Sequence, residues 1–156
     1  MKLKKANIEW ESLGFDLVET RSMYMATCRN GEDWAPGSLV PFGNIELSPA
    51  AAVLNYGQGV FEGTKAFHTY NDTISLFRIN RNARRMHFST KRLCIPQINP
   101  EFFVNSVIST VKDNLDFVPP YGKGSMYIRP IVWGTSHALG VRAASDYTFV
   151  IYVSPV

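Results

Sequence analysis

The stretch Ser125–Gly134, SMYIRPIVWG, decides the fold class. Its side chains alternate as a strand requires. Tyr127, Arg129, Ile131 and Trp133 point one way, and Met126, Ile128, Pro130 and Val132 the other. One face is wholly apolar and belongs against a core. The other sets a phenol and a guanidinium about 7 Å apart along the strand. Such a pair can hold a carboxylate, because arginine offers a rigid, always-charged fork. Spacing alone slightly favours an arginine on a solvated face beside a tyrosine. Pro130 removes one ladder donor, which predicts an edge strand or a bulge.

A second apolar strand, Asp146 to Ser154, follows across the loop TSHALGVRAAS. Upstream, Met23–Cys28 reads as a strand and Asn30-Gly31 as a turn. Phe61–Thr69 and Thr73–Phe77 bracket Tyr70-Asn71-Asp72 as a hairpin. Between these and Ser125 lie two helices. Ala83, Met86, Thr90 and Leu93 form an apolar stripe from about Asn80 to Cys94. Asn99 is an N-cap with Pro100 at the first helical position, and Phe103, Val107, Val111 and Leu115 form the buried face. Strands with two consecutive helices predict an α+β fold, a mainly antiparallel sheet with both helices on one face.

The chain has 156 residues, one domain's worth, and 46% are hydrophobic against 19% charged, which gives a sizeable core. A net charge of +3 is too small to argue for nucleic acid. Apolar runs such as YTFVIYV are too short to span a bilayer. Cys28 and Cys94 form no metal or disulfide pattern and read as two reduced, buried thiols. The start MKLKKANIEW is basic without an apolar segment, so the expected compartment is cytoplasmic, with a removed organellar leader left open. The apolar strand Tyr147–Val153 lies so near the last residue that a continuing chain is expected.

Three further segments carry candidate chemistry. In NYGQGVFEGTKAF, Asn55–Phe67, the glycines allow a bend that shows Tyr56 on one side and Phe61 on the other, a shaped apolar wall. In RINRNARRMHFSTKR, Arg85 lies on the flank of the helix, where it could grip a phosphate, while the other basic residues read as a solvated face. Leu139-Gly140-Val141 puts apolar residues at a loop tip, which must fold back or meet another chain.

Taken in order, LNYGQGVFEGTKAF, LFRINRNARRMHFSTKRLCIP, GSMYIRPIVWGTSHALGV and YTFVIYVSPV, with IEWESLGFDLV before them, resemble the branched-chain amino acid aminotransferases. These are pyridoxal-phosphate enzymes of fold type IV. The resemblance implies that residues 1–156 are the small amino-terminal domain of a two-domain enzyme. Leucine, isoleucine or valine would pass its amino group to 2-oxoglutarate, with glutamate as the other amino acid. Arg85 would grip the phosphate of pyridoxal 5'-phosphate. Phe61 and Tyr127 would line the pocket, the Tyr127 hydroxyl near the substrate carboxylate, and Arg129 would take the side-chain carboxylate of glutamate. Tyr56, Leu139 and Val141 would reach into the partner's pocket of a homodimer. Glu62 receives only a structural role. None of the lysines matches the Schiff-base lysine, which the resemblance puts in a carboxyl-terminal domain, so the chain alone is expected to be inactive. A D-amino acid aminotransferase, an aminodeoxychorismate lyase and a non-catalytic module of the same fold stand as alternatives.

Overall fold

The computed structural model describes residues 5–156; the basic start, residues 1–4, lies outside them. Seven strands form one antiparallel sheet: β1 (Ser22–Arg29), β2 (Ser38–Pro41), β3 (Gly59–Phe61), β4 (Thr64–His68), β5 (Ile74–Leu76), β6 (Met126–Gly134) and β7 (Asp146–Pro155). Their order is β2-β1-β7-β6-β4-β5, and β3 also pairs with β6. The helices are α1 (Ala52–Tyr56), α2 (Ile79–Arg92) and α3 (Pro100–Asp113). The expected α+β layout is what forms.

The layering follows from side-chain alternation. Ala26, Phe149, Ile151, Ile128, Val132 and Ala66 leave one face of the sheet and bury against Ala83 and Met86 of α2 and Phe103 and Val107 of α3. Phe149 sits at the centre, fully buried, with ring centroids 6.1–6.5 Å from Tyr24, Trp34, Phe102 and Phe103. The opposite face carries a smaller cluster around Met23, Trp133 and Val150.

The α3 cap forms as the sequence predicts. The Asn99 side chain accepts from the Glu101 and Phe102 amides at 2.8 and 3.3 Å, and Pro100 opens the helix. Its stripe ends early: Leu115 lies in a following 3-10 turn. Buried Asn114 ties the helix end to β1, donating 3.1 Å to the Ser22 carbonyl and accepting 3.2 Å from the Ser22 amide. On α2, Ala83, Met86 and Thr90 are buried, but Leu93 is exposed because the backbone leaves the helix there. Cys94 follows with φ 55° and is exposed, so only Cys28 is a buried thiol. Burial, with Glu32 and Asp33 nearby, pushes the Cys28 thiol up and keeps it protonated.

Pro130 departs from expectation. It sits in β6, a central strand, with no bulge. The expected strand Phe61–Thr69 is interrupted at Glu62-Gly63, yet β3 and β4 keep a single register on β6: Phe61 faces Ile131 and Thr64 faces Ile128. That register sets Glu62 against Pro130. The Glu62 amide donates to the Pro130 carbonyl at 2.9 Å, and the return bond is missing because proline has no N–H. The N–H and C=O of one strand residue point to the same side, so Pro130 takes nothing from the β7 ladder, where it pairs with Ile151.

Phe149→Ala is expected to destabilise the folded protein by about 3–5 kcal/mol, since it empties the centre of the core. Urea unfolding of parent and variant checks this; a loss below about 1 kcal/mol would place the core's centre elsewhere.

Candidate functional site

On the sheet face away from the helices, β6 and the β3–β4 track bring Phe61, Tyr127 and Arg129 together. Arg129 Nη2 donates to the Tyr127 hydroxyl at 2.8 Å. Its guanidinium lies 4.4 Å from the Phe61 ring centroid and 5.2 Å from that of Tyr127. Stacking on two rings desolvates the cation without neutralising it. Among the described residues no carboxylate pairs with it, and its buried Nε has no hydrogen-bond partner. A buried donor left unpaired is uncommon. Phe61 is 60% exposed, an apolar ring turned outward beside that cation.

Gly63 makes the pairing possible. A Cβ there would lie 2.4 Å from the Tyr127 hydroxyl oxygen, so any side chain would push the phenol off Arg129. Two more side chains border the site. Phe15 meets Tyr127 edge-on at 6.1 Å, and the Lys65 ammonium stands 5.3 Å above the Phe15 ring. Lys65 lies opposite Tyr127 in the ladder and so shares its face.

Glu62 turns the other way, toward α2. Its carboxylate takes Arg85 side-on, Nε at 2.9 Å and Nη2 at 2.7 Å, and receives Asn82 Nδ2 at 2.9 Å. Asn82 also reaches the Gly63 carbonyl at 3.2 Å. Glu62 is buried while Arg85 remains largely exposed, and the hydrogen bonds that Arg85 donates to Glu62 raise the Arg85 pKa further. A guanidinium has five N–H donors, and Glu62 occupies two. Arg85 lines an open cleft of about 470 Å³ with Phe77, Arg78, Arg81 and Asn82. Its three arginines give the cleft positive charge.

Tyr56 closes the five-residue helix α1, and Gly57 follows at φ 65°, supplying the bend that the glycines announce. The Tyr56 hydroxyl donates to the Leu139 carbonyl. The loop tip is open: Leu139 is 93% and Val141 87% exposed. Gln58 braces the loop's base, donating to the Leu93 carbonyl and accepting from the Ala144 amide, both at 2.9 Å.

With this geometry in hand, comparison with known proteins is specific. The chain is 50% identical over 153 residues to branched-chain-amino-acid aminotransferase 6 of Arabidopsis thaliana, covering 98% of this chain and 43% of the relative. It is 50% identical over 151 residues to the chloroplastic branched-chain amino acid aminotransferase 2 of Humulus lupulus, covering 97% and 37%. The chain resembles branched-chain aminotransferases over nearly its whole length. It spans about two fifths of the length of these relatives. Two solved structures share the fold. The Escherichia coli branched-chain amino acid aminotransferase matches with a TM-score of 0.69 at 20% identity, over 88% of this chain and 40% of that one. A second branched-chain amino acid aminotransferase, complexed with N-(5'-phosphopyridoxyl)-L-glutamate, matches with a TM-score of 0.62 at 27% identity, over 86% and 41%. No family model matches the chain.

Sequence reasoning names Phe61, Tyr127 and Arg129, and the structure assembles them. Tyr56 and Leu139 also meet, while Val141 stands free at the tip. Arg85 lies on the helix side of the sheet, held by Glu62, which Asn82 braces; the part of these two residues is not anticipated. Strand alternation carries the signal, since Glu62 must face away from Phe61, and Asn82 and Arg85 share a helix face at i, i+3. Phe15 and Lys65 are not anticipated either; Phe15 lies in irregular chain where no periodicity marks it.

Gly63→Ala is expected to move the Tyr127 hydroxyl by about 1 Å and break its bond to Arg129, at a stability loss of about 1–3 kcal/mol. A crystal structure of the variant with the Tyr127–Arg129 contact intact would overturn the steric argument.

Proposed function

We propose that this chain is the small domain of a branched-chain amino acid aminotransferase. In this reading, leucine, isoleucine or valine gives its amino group to 2-oxoglutarate with pyridoxal 5'-phosphate as cofactor. The observation that supports it most is Arg129: stacked on Phe61 and Tyr127, bonded to one phenol, and lacking a carboxylate partner. Such an enzyme must admit an apolar side chain and a carboxylate in the same place. The outward ring of Phe61 offers contact area to the first. The Nη donors of Arg129 that Tyr127 leaves free, and the Tyr127 hydroxyl, offer hydrogen bonds to the second.

The residues fit the cofactor's phosphate end. Arg85 would hold it with the donors Glu62 leaves free, in a cleft where Arg78 and Arg81 add positive charge. When bound, pyridoxal phosphate supplies the electron sink that lets an amino group leave one substrate and join the next. This chain's residues bind and orient: Arg85, on α2 beside the edge strand β3, would reach one end of the cofactor past that edge, Tyr127 and Arg129 on the other side of the sheet would take a carboxylate, and Phe61 would cover it. The lysine that carries the cofactor would come from a second domain, and residues 1–156 would be inactive alone. Leu139 and Val141, exposed at a braced loop tip with Tyr56 below, would enter the partner's pocket of a homodimer, which would cover their apolar surface. The compartment in this reading is the cytoplasm, or an organelle reached with a leader that is later removed.

In the full-length enzyme, Arg129→Gln is expected to lower the specificity constant for glutamate about tenfold to a hundredfold more than that for leucine, the range of a hydrogen bond to a charged group. Equal losses for both donors would mean that Arg129 does not read the side-chain carboxylate.

A further inference from the structure

We propose that Glu62 is a positioning residue for anion recognition: it holds the Arg85 guanidinium in the orientation in which its remaining donors take a phosphate. The proposal rests on the reading that Arg85 serves the cofactor's phosphate and adds to it the group that prepares Arg85.

The geometry carries the argument. Glu62 grips Arg85 by two parallel bonds, Nε at 2.9 Å and Nη2 at 2.7 Å, which fixes the plane of the guanidinium as well as its position. Glu62 is itself immobilised. It is 9% exposed, its amide is bonded to the Pro130 carbonyl, and Asn82 donates to the same Oε2 that receives Nη2. The chain of contacts runs from the central strand β6 through Glu62 to an arginine that is 58% exposed. Left alone, so exposed a side chain would be spread over many rotamers, and a ligand would have to order it on binding.

A stabilising salt bridge is a poor alternative account. Burying a carboxylate is unfavourable unless it is fully paired, and an ion pair with one exposed partner contributes little net stability. An apolar residue packed against α2 would serve the fold at least as well. The nearby negative charge opposes an incoming phosphate, but the exposed face of Arg85 is in water, where that repulsion is screened, and Arg78 and Arg81 offset it in the same cleft. Orientation is therefore the dominant effect.

The test uses the full-length protein freed of cofactor. The affinities of pyridoxal 5'-phosphate and of pyridoxal, which lacks the phosphate, are measured at equilibrium for the parent, Glu62→Gln, Arg85→Ala and the double variant. The ratio of the two affinities isolates the phosphate's share. Arg85→Ala should lower this ratio about tenfold to a hundredfold, the range of a charge-assisted contact. Glu62→Gln keeps the volume but loses the charge-assisted fork, and should lower it about five- to tenfold. The double variant should match Arg85→Ala alone, because Glu62 acts only through Arg85. Glu62→Asp, which keeps the charge, should recover part of the ratio. If Glu62→Gln weakens both ligands equally, Glu62 is structural and the proposal falls while the Arg85 reading stands. If it raises the ratio, Glu62 competes with the phosphate and the proposal is wrong. If Arg85→Ala leaves the ratio at its parental value, the phosphate reading fails and takes this proposal with it.

Discussion

Pro130 has no N–H, and the site is arranged around that missing donor. In an unbroken ladder Glu62 would exchange two bonds with its partner on β6. Here it makes one, from its amide to the Pro130 carbonyl at 2.9 Å. The register continues through the gap, so the sheet loses no alignment. What changes is local: Glu62 and Gly63 are released from strict pairing at the point where β6 presents Arg129. Glu62 faces the helices and takes Arg85 and Asn82. Gly63 faces the other way and leaves room for the Tyr127 hydroxyl. Two neighbouring residues thus serve two polar clusters on opposite sides of one sheet. A motion of this dipeptide would be felt by both.

The two faces of the sheet differ in how completely they are closed. The helix side is a continuous apolar layer with Phe149 at its centre, and the exposed start and buried end of α3 are satisfied by the Asn99 cap and the Asn114 tie to β1. On the other side the smaller cluster around Met23, Trp133 and Val150 gives way to outward aromatic and aliphatic groups: Phe61, then Leu139 and Val141 on the loop. The rigid face supplies the energy that holds strand register. The open face can then keep a cation stacked between rings and an unpaired Nε without risk to the fold, a conflict between local satisfaction and global order expected at functional sites.

Most of the architecture is legible in the sequence because it rests on periodicity. The β6 alternation, the α2 and α3 stripes and the Asn99-Pro100 start each follow from one physical rule, and each forms close to its expected bounds. The failures share a cause as well. Leu93 and Cys94 fit a helical stripe, but the backbone turns out of the helix at that point, which no side-chain pattern reports. The helix Ala52–Tyr56 and the strand Ser38–Pro41 are too short for a period to show. Pro130 reads as an edge or a bulge because the rule that prolines avoid central strands omits a third solution, a gap in the facing strand. The site is legible in part for the same reason. Tyr127 and Arg129 sit two apart on one strand, so alternation joins them. Glu62, Asn82 and Arg85 meet only through tertiary packing of α2 on the sheet, and Phe15 arrives from irregular chain.

The stacking of Arg129 bears on how one face could receive two kinds of side chain. A bare guanidinium would keep tightly held water, and an apolar group placed beside it would strand polar surface. With the Phe61 ring centroid 4.4 Å and the Tyr127 ring centroid 5.2 Å from it, the cation lies against aromatic carbon and keeps its N–H donors as its polar edge. One of those donors already has the Tyr127 hydroxyl. An aliphatic substituent approaching over Phe61 therefore meets mostly hydrocarbon and aromatic surface. A carboxylate approaching along the edge meets a phenol and a guanidinium with donors to spare. In the proposed transaminase this would let the same few side chains serve both halves of the reaction with no loop rearrangement between them: the alternation of β6 sets the donors, and the space at Gly63 lets them converge.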